Sequence, residues 1–163
     1  MARVLIVGCG CRGRALAGAL IADGHAVRGT TRDPAAVSEI AAAGAEPFVG
    51  DPDRVGSLIS ALDAVAVVCW LMGSAHGDPA ALGDLHGTRL RFFLEKCVDT
   101  TVRGFAYEAT GDAGAPLLAA GTRGVREANA TWAIPYALIA AAPADHDAWL
   151  AAARGAVDAL LAP

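Results

Sequence analysis

The chain has 163 residues, 55% of them hydrophobic, and a formal net charge of −4. That apolar content excludes disorder, and the length suits one domain of 1–163 with no room for a second of similar size. The acidic balance excludes general nucleic-acid binding, because nothing draws a polyanion, so any phosphate site must be local. No stretch approaches the roughly 20 apolar residues that span a bilayer, and the first apolar run is too short for a signal peptide. A cytoplasmic protein without membrane contact is expected. The four cysteines fit reduced thiols, and Cys9-Gly10-Cys11 has the wrong spacing for a zinc pair, so no metal site is expected.

Taken in chain order, apolar runs alternate with amphipathic stretches. Residues 4–7 read as a short buried strand, and 14–22 as a helix that Asp23-Gly24 ends. A second strand covers 27–31. Asp33-Pro34 then opens a helix, with Asp as N-cap and Pro at the first helical position, and Gly44 closes it. Residues 46–49 form a third strand, and Asp51-Pro52 repeats the capping device before a helix through Leu62. Residues 64–71 are apolar on both faces, as a central parallel strand must be. A loop over 72–78 precedes a long helical stretch over 79–98. A fifth strand over 102–107, a Gly-rich loop over 110–116 and a helix over 117–132 follow. A sixth strand covers 136–140, and a last helix 145–161. This alternation predicts an α/β fold: a doubly wound parallel sheet of about six strands with helices on both faces.

The first turn carries the strongest motif, Gly8-Cys9-Gly10-Cys11-Arg12-Gly13. G-x-G-x-x-G is weak alone in a chain with 19 glycines, but here it follows a strand, opens a helix and precedes a second strand. The chemistry needs each glycine. Gly8 permits the tight turn, Gly10 lets the backbone approach a pyrophosphate, and Gly13 lets the helix pack close to the strand. The helix N-terminus then offers unpaired N–H groups to the phosphates. This is the signature of a Rossmann dinucleotide site.

The end of the second strand separates the two pyridine nucleotides. NAD-binding domains place an acidic residue there to hold the adenosine ribose. Thr31 occupies that position, followed by Arg32, whose guanidinium suits the 2′-phosphate of NADP. Arg28 is a weaker candidate for the same task. Asp33 is read as a helix cap, with ribose binding, and hence NAD, as the alternative. Arg12 is either a cofactor contact or a solvated charge.

Gly8-Cys9-Gly10, Arg28-Gly29-Thr30-Thr31-Arg32 and Gly50-Asp51 resemble the atypical and extended short-chain dehydrogenase/reductase superfamily, in its NAD(P)-binding, epimerase-like branch. The resemblance covers residues 1 to about 110. It implies that Asp51 lies beside the adenine, and that Cys69, Trp70 and Leu71 run beside the ribose and nicotinamide. It also implies a tyrosine with a lysine four residues on as the proton relay. That pair is missing here: Gly111 and Ala140 stand four residues after Tyr107 and Tyr136, and the one lysine is Lys96.

Other residues can supply chemistry. Tyr107-Glu108 ends the fifth strand at the edge where ligands bind, either as a proton-handling pair or as a strand-end aromatic with a surface acid. His76, in the loop after the fourth strand, either titrates against a substrate or is solvated. Cys9 and Cys11 flank the phosphate turn, where a thiol pKa can fall, or are simply small side chains there. Two functions stay open, with an isomerase or epimerase remnant as a weaker third. One is an NADP-dependent oxidoreductase of atypical kind that passes hydride to a small acceptor, with Tyr107, His76 or water giving the proton. The other is a non-catalytic NADP(H)-sensing module acting through a protein partner. A homodimer is compatible with either.

Overall fold

The sheet begins in the middle. In the computed structural model, which describes residues 1–163, β1 (Arg3–Val7) lies between β2 (Ala26–Thr31) and β4 (Val67–Trp70). Val4 pairs with Val27 on one side and with Val67 on the other. β3 (Glu46–Val49) extends the sheet beyond β2. β5 (Gly104–Glu108) and β6 (Tyr136–Ile139) extend it beyond β4, giving the order β3-β2-β1-β4-β5-β6. Every pairing is parallel. The chain builds outward from β1 to β3, then returns across the sheet to β4. The strand order therefore reverses between β1 and β4, and a crevice opens at their carboxyl ends.

Side chains of a strand alternate between faces, so each strand feeds two cores. Leu5, Val7, Val68, Trp70, Phe105 and Tyr107 pack on one face. They meet a 3₁₀ segment (Val55–Leu62), α4 (Thr88–Cys97) and α5 (Ala115–Trp132). Val4, Ile6, Val67, Cys69 and Ala106 pack on the other face against α1 (Cys11–Ala22), Ile40 of α2 (Val37–Ala42), and α6 (His146–Leu161). No helix is long and apolar enough to cross a membrane.

Three elements differ from the sequence expectation. The segment after Asp51-Pro52 is a 3₁₀ helix and starts only at Val55. Of its buried residues, Val55, Leu58 and Ala61 repeat every third position, the period that a 3₁₀ helix stacks on one face, and Leu62 is buried beside them. The long stretch over 79–98 is two helices, α3 (Pro79–Leu85) and α4, broken at His86-Gly87. A Cβ at Gly87 would stand 2.8 Å from the Gly83 carbonyl oxygen, so glycine allows the break. Finally, β4 is only four residues long. Of the two expected aspartate caps, Asp33 agrees with the structure, its Oδ1 accepting from Ala35 N at 2.9 Å, whereas Asp51 caps no helix: its Oδ1 accepts from Asp53 N at 2.9 Å, and the 3₁₀ segment starts after Arg54 with no side-chain cap.

Candidate functional site

The Gly8–Gly13 turn forms one wall of a cleft of about 600 Å³ at the carboxyl ends of β1, β2 and β4. Gly8 has φ +83°, and a Cβ there would stand 2.7 Å from the Leu71 carbonyl oxygen, so no other residue fits. A Cβ at Gly13 would meet Gly8 O at 3.2 Å and Ile6 Cγ2 at 3.3 Å, which shows how closely α1 approaches β1. Gly10 is the opposite case: a Cβ there meets nothing within 4 Å. The space it leaves is open to the cleft. Gly10 is also the N-cap of α1 and offers no side-chain cap, and the N–H groups of Cys11, Arg12 and Gly13 find no acceptor in the protein. A bare helix N-terminus with a partial positive charge faces this space. These features fit the diphosphate of a dinucleotide.

At the β2 end, Thr31, Arg32 and Gly50 line the cleft. Arg32 is exposed and makes no ion pair or hydrogen bond within the protein. Asp33 does not line the cleft. Its Oδ1 is engaged as the cap of the turn Pro34–Ala36, and its amide donates to Thr31 Oγ1 at 3.1 Å. Arg28 is not available for a phosphate. It is buried, and its Nη1 donates to the carbonyls of Ala61 at 2.6 Å and Asp63 at 3.1 Å, while Nη2 pairs with Glu46 at 3.2 Å. Asp51 also stands apart from the lining. Its Oδ1 accepts from Asp53 N at 2.9 Å, and the residues that reach the cleft are Pro52 and Asp53.

At the β4 and β5 end, the structure corrects several expectations. Of Cys69, Trp70 and Leu71, only Leu71 lines the cleft. Cys69 and Trp70 are fully buried on opposite faces of the sheet, because β4 alternates into both cores up to its last residue. Tyr107 is fully buried as well, and its hydroxyl meets His86 Nδ1 at 2.6 Å rather than the cleft. Burial, helped by the neighbouring Glu108, pushes its pKa up. His86 Nε2 lies 3.1 Å from the Met72 carbonyl oxygen, which cannot donate, so Nε2 carries the proton and Tyr107 donates to Nδ1. Burial holds His86 below its ordinary pKa, against the pull of that carbonyl. His76, in contrast, is exposed on the loop that lines the cleft. Cys9 is buried against Gly29, and burial pushes its thiol up to about 11, so it is not the activated thiol that its position allowed. Cys11 is exposed on the cleft.

The arrangement that sequence reasoning missed is centred on Glu108. This carboxyl group is wholly buried at the end of β5 and closes the floor of the cleft. Oε1 accepts from Gly73 N at 2.7 Å, and Oε2 accepts from Trp149 Nε1 at 2.9 Å and Arg12 Nη2 at 3.4 Å. Arg12 also donates to Ser74 Oγ at 3.1 Å and stacks on the Trp149 ring at 5.4 Å. It is therefore tethered between Glu108 and Ser74 rather than solvated, and it lines the cleft. Burial raises the Glu108 pKa, opposed by Arg12 and by its three hydrogen bonds. The one signal in the sequence is a glutamate at the end of a fully apolar strand, where burial is the rule.

The comparisons agree with this geometry. The family described as NAD(P)H-binding matches residues 8–117, from the first glycine of the turn to the start of α5. Among solved structures, UDP-glucose 4-epimerase from Thermotoga maritima superposes with TM-score 0.71 at 14% identity, over 83% of this chain and 54% of that one. A short-chain dehydrogenase/reductase superfamily protein from Agrobacterium tumefaciens with bound NAD gives 0.67 at 20% identity, over 83% and 48%. The triphenylmethane reductase of Citrobacter sp. complexed with NADP(H) gives 0.64 at 21% identity, over 83% and 48%. The chain thus spans about half the length of the structures it resembles, and at these identities the likeness is one of fold. No curated protein matches the sequence. With the family match covering most of the chain, and the glycine turn, bare helix terminus and strand order in place, this protein belongs to the NAD(P)H-binding family, and its fold is that of the epimerase-like short-chain dehydrogenase/reductases.

Proposed function

We propose that the cleft takes NADP(H) in preference to NAD(H), and that the protein is an oxidoreductase of atypical kind acting on a small acceptor. The observation that carries the cofactor choice is the unpartnered guanidinium of Arg32 beside Thr31, with the nearby Asp33 carboxylate turned to cap a helical turn. A free cation at the end of β2 favours a 2′-phosphate, and a carboxylate engaged as a cap is not free to hold a ribose. On this reading the amides of Cys11, Arg12 and Gly13 hold the diphosphate, Thr31 and Arg32 the adenosine phosphate, and Leu71 borders the nicotinamide half. A bound nicotinamide supplies the redox chemistry, and the chain's own residues orient it and exclude water. With Tyr107 enclosed in the core, the acceptor's proton comes on this reading from His76, which lines the cleft, or from water.

The test compares NADPH and NADH affinities before and after Arg32→Ala. Losing a charged hydrogen bond lowers NADPH affinity by about 1.5–3 kcal/mol, roughly 10- to 100-fold, and leaves NADH nearly unchanged. Equal losses for both nucleotides, or no loss for either, refute the assignment. A second reading, a sensor whose nucleotide occupancy alters contact with a protein partner, is favoured by the missing tyrosine–lysine pair and by the enclosure of Tyr107. Incubation of the protein with NADPH and a panel of quinones, flavins and small carbonyl compounds separates the two. Oxidation of NADPH that tracks protein concentration supports the enzyme, and tight binding without turnover supports the sensor.

A further inference from the structure

A second cavity, of about 510 Å³, shares one wall with the nucleotide cleft: Arg12 and Ser74 line both. Its other walls are residues 110–112 after β5 and 140–144 after β6, the carboxyl edge of the sheet on the far side from Arg32. Its lining holds one cation, Arg12, and one anion, Asp112.

Arg12 is held firmly but incompletely used. Nη2 is taken by Ser74 and Glu108, and the ring of Trp149 backs the guanidinium. Yet Nε is buried without an acceptor, and Nη1 donates to nothing in the protein. Nε is closed to solvent and so to a ligand, which leaves Nη1 as the guanidinium donor that an incoming group can meet. Ser74 Oγ accepts from Arg12 and, at 3.4 Å, from Asp112 N, which leaves its hydroxyl proton to donate. Thr110 is already spent on the Ala141 carbonyl. The unspent donors at this wall are thus those of Arg12 and Ser74, and they ask for an oxygen anion.

The geometry points to the second cavity as the seat of the reacting small molecule, and to that molecule as an organic carboxylate gripped by Arg12 and Ser74. This rests on the reading of the larger cleft as the NADP(H) site, because the shared wall is what brings the two ligands together. Glu108 and Trp149 act as positioning residues that fix the guanidinium between the cavities. Asp112, exposed on the rim, opposes an incoming anion and tempers its affinity.

The experiment is calorimetry on the full chain, with and without saturating NADPH. The probes are glyoxylate, pyruvate, 2-oxobutanoate and benzoate, each paired with its own amide. At least one acid binds saturably and about tenfold tighter than its amide, as a charge-assisted contact requires. Arg12→Met weakens that acid by about tenfold or more and NADPH by less than about threefold, Arg12→Lys gives an intermediate loss, and Asp112→Asn strengthens the acid. If Arg12→Met does not fold, the Lys and Asp112→Asn variants still decide the matter. The proposal is overturned if no acid is preferred over its amide, or if the Arg12 variants weaken NADPH as much as the acid. Acid binding that persists while NADPH fails to bind would sink the cofactor reading alone. NADPH binding with no preference for any acid would sink this one alone.

Discussion

At the β2 end of the cleft, Arg32 has no partner in the protein and the first amides of α1 have no acceptors. At the β5 end, Glu108 accepts three hydrogen bonds from three separate parts of the chain, and Arg12 and Trp149 are bound up with it. One end keeps its polar groups for a ligand. The other spends most of them on holding α1, the loop after β4 and α6 together. Mutations at the two ends should therefore separate binding from stability.

The largest effect belongs to Glu108→Ala. It leaves the indole N–H of Trp149, the amide of Gly73 and the guanidinium of Arg12 facing a vacated, buried site. Breaking a buried charged network from one side costs about 3–5 kcal/mol. That is a large share of a stability of roughly 5–15 kcal/mol. Urea denaturation measures it, and Arg32→Ala, at the exposed end, should fall within about 0.5 kcal/mol of wild type in the same assay. A Glu108 loss no larger than the Arg32 loss would erase the contrast between the two ends.

Gly10→Val turns the contrast around. Its Cβ meets nothing in the protein within 4 Å, so the fold resists it only through the modest N-cap preference for glycine. A diphosphate resting on this turn would collide with the new side chain. NADPH affinity is expected to fall by about 100-fold, near 2.7 kcal/mol, while the melting temperature stays close to wild type. Gly8→Ala is the control, because its left-handed backbone and the nearby Leu71 carbonyl make it a folding defect instead. A Gly10→Val variant that binds NADPH normally would remove the diphosphate from this turn.

This asymmetry also explains what the sequence revealed. The unspent end is written in local signals: glycines at set spacing, a strand before them, an arginine where a carboxylate is usual, and an aspartate followed by proline. All lie within residues 4–34 and need only local geometry to interpret. The spent end is built from contacts across the chain. Arg12 meets Glu108 at a separation of 96 residues, and Glu108 meets Trp149 across 41. No local pattern encodes such a pairing, so the sequence leaves Arg12 as a cofactor contact or a solvated charge, and Tyr107 as a proton-handling group or a strand-end aromatic. The same limit applies to the fold. Strand periodicity and the cap at Asp33 were legible, while Asp51 caps no helix. The break at Gly87, imposed by a close approach to Gly83, and the 3₁₀ winding of Val55–Leu62 were not, because apolar spacing alone does not distinguish three from 3.6 residues per turn.

A smaller effect comes from behind the cleft, where His86 joins Tyr107 to the Met72 carbonyl at the start of the loop over 72–78. Burial lowers the His86 pKa from 6.5, so the unfolded chain takes up a proton at a higher pH than the folded one does. The stability tied to neutral His86 is complete above about pH 6.5 and is lost as the pH falls through the depressed folded value. His86→Phe should flatten that part of the curve of unfolding free energy against pH. An unchanged slope in the variant would show that the histidine is not the titrating group.

The smallest effect sharpens the β2 end itself, where an acid and a cation are neighbours in sequence. If the Asp33 carboxylate serves as a cap, Asp33→Ala costs about 0.5–1 kcal/mol of stability and leaves the ratio of NADPH to NADH affinity unchanged. If it holds a ribose instead, the same variant weakens NADH selectively and keeps its stability. Denaturation and nucleotide titration on one variant decide between these outcomes. The cap outcome is expected, because Oδ1 already lies 2.9 Å from Ala35 N and the side chain does not border the cleft.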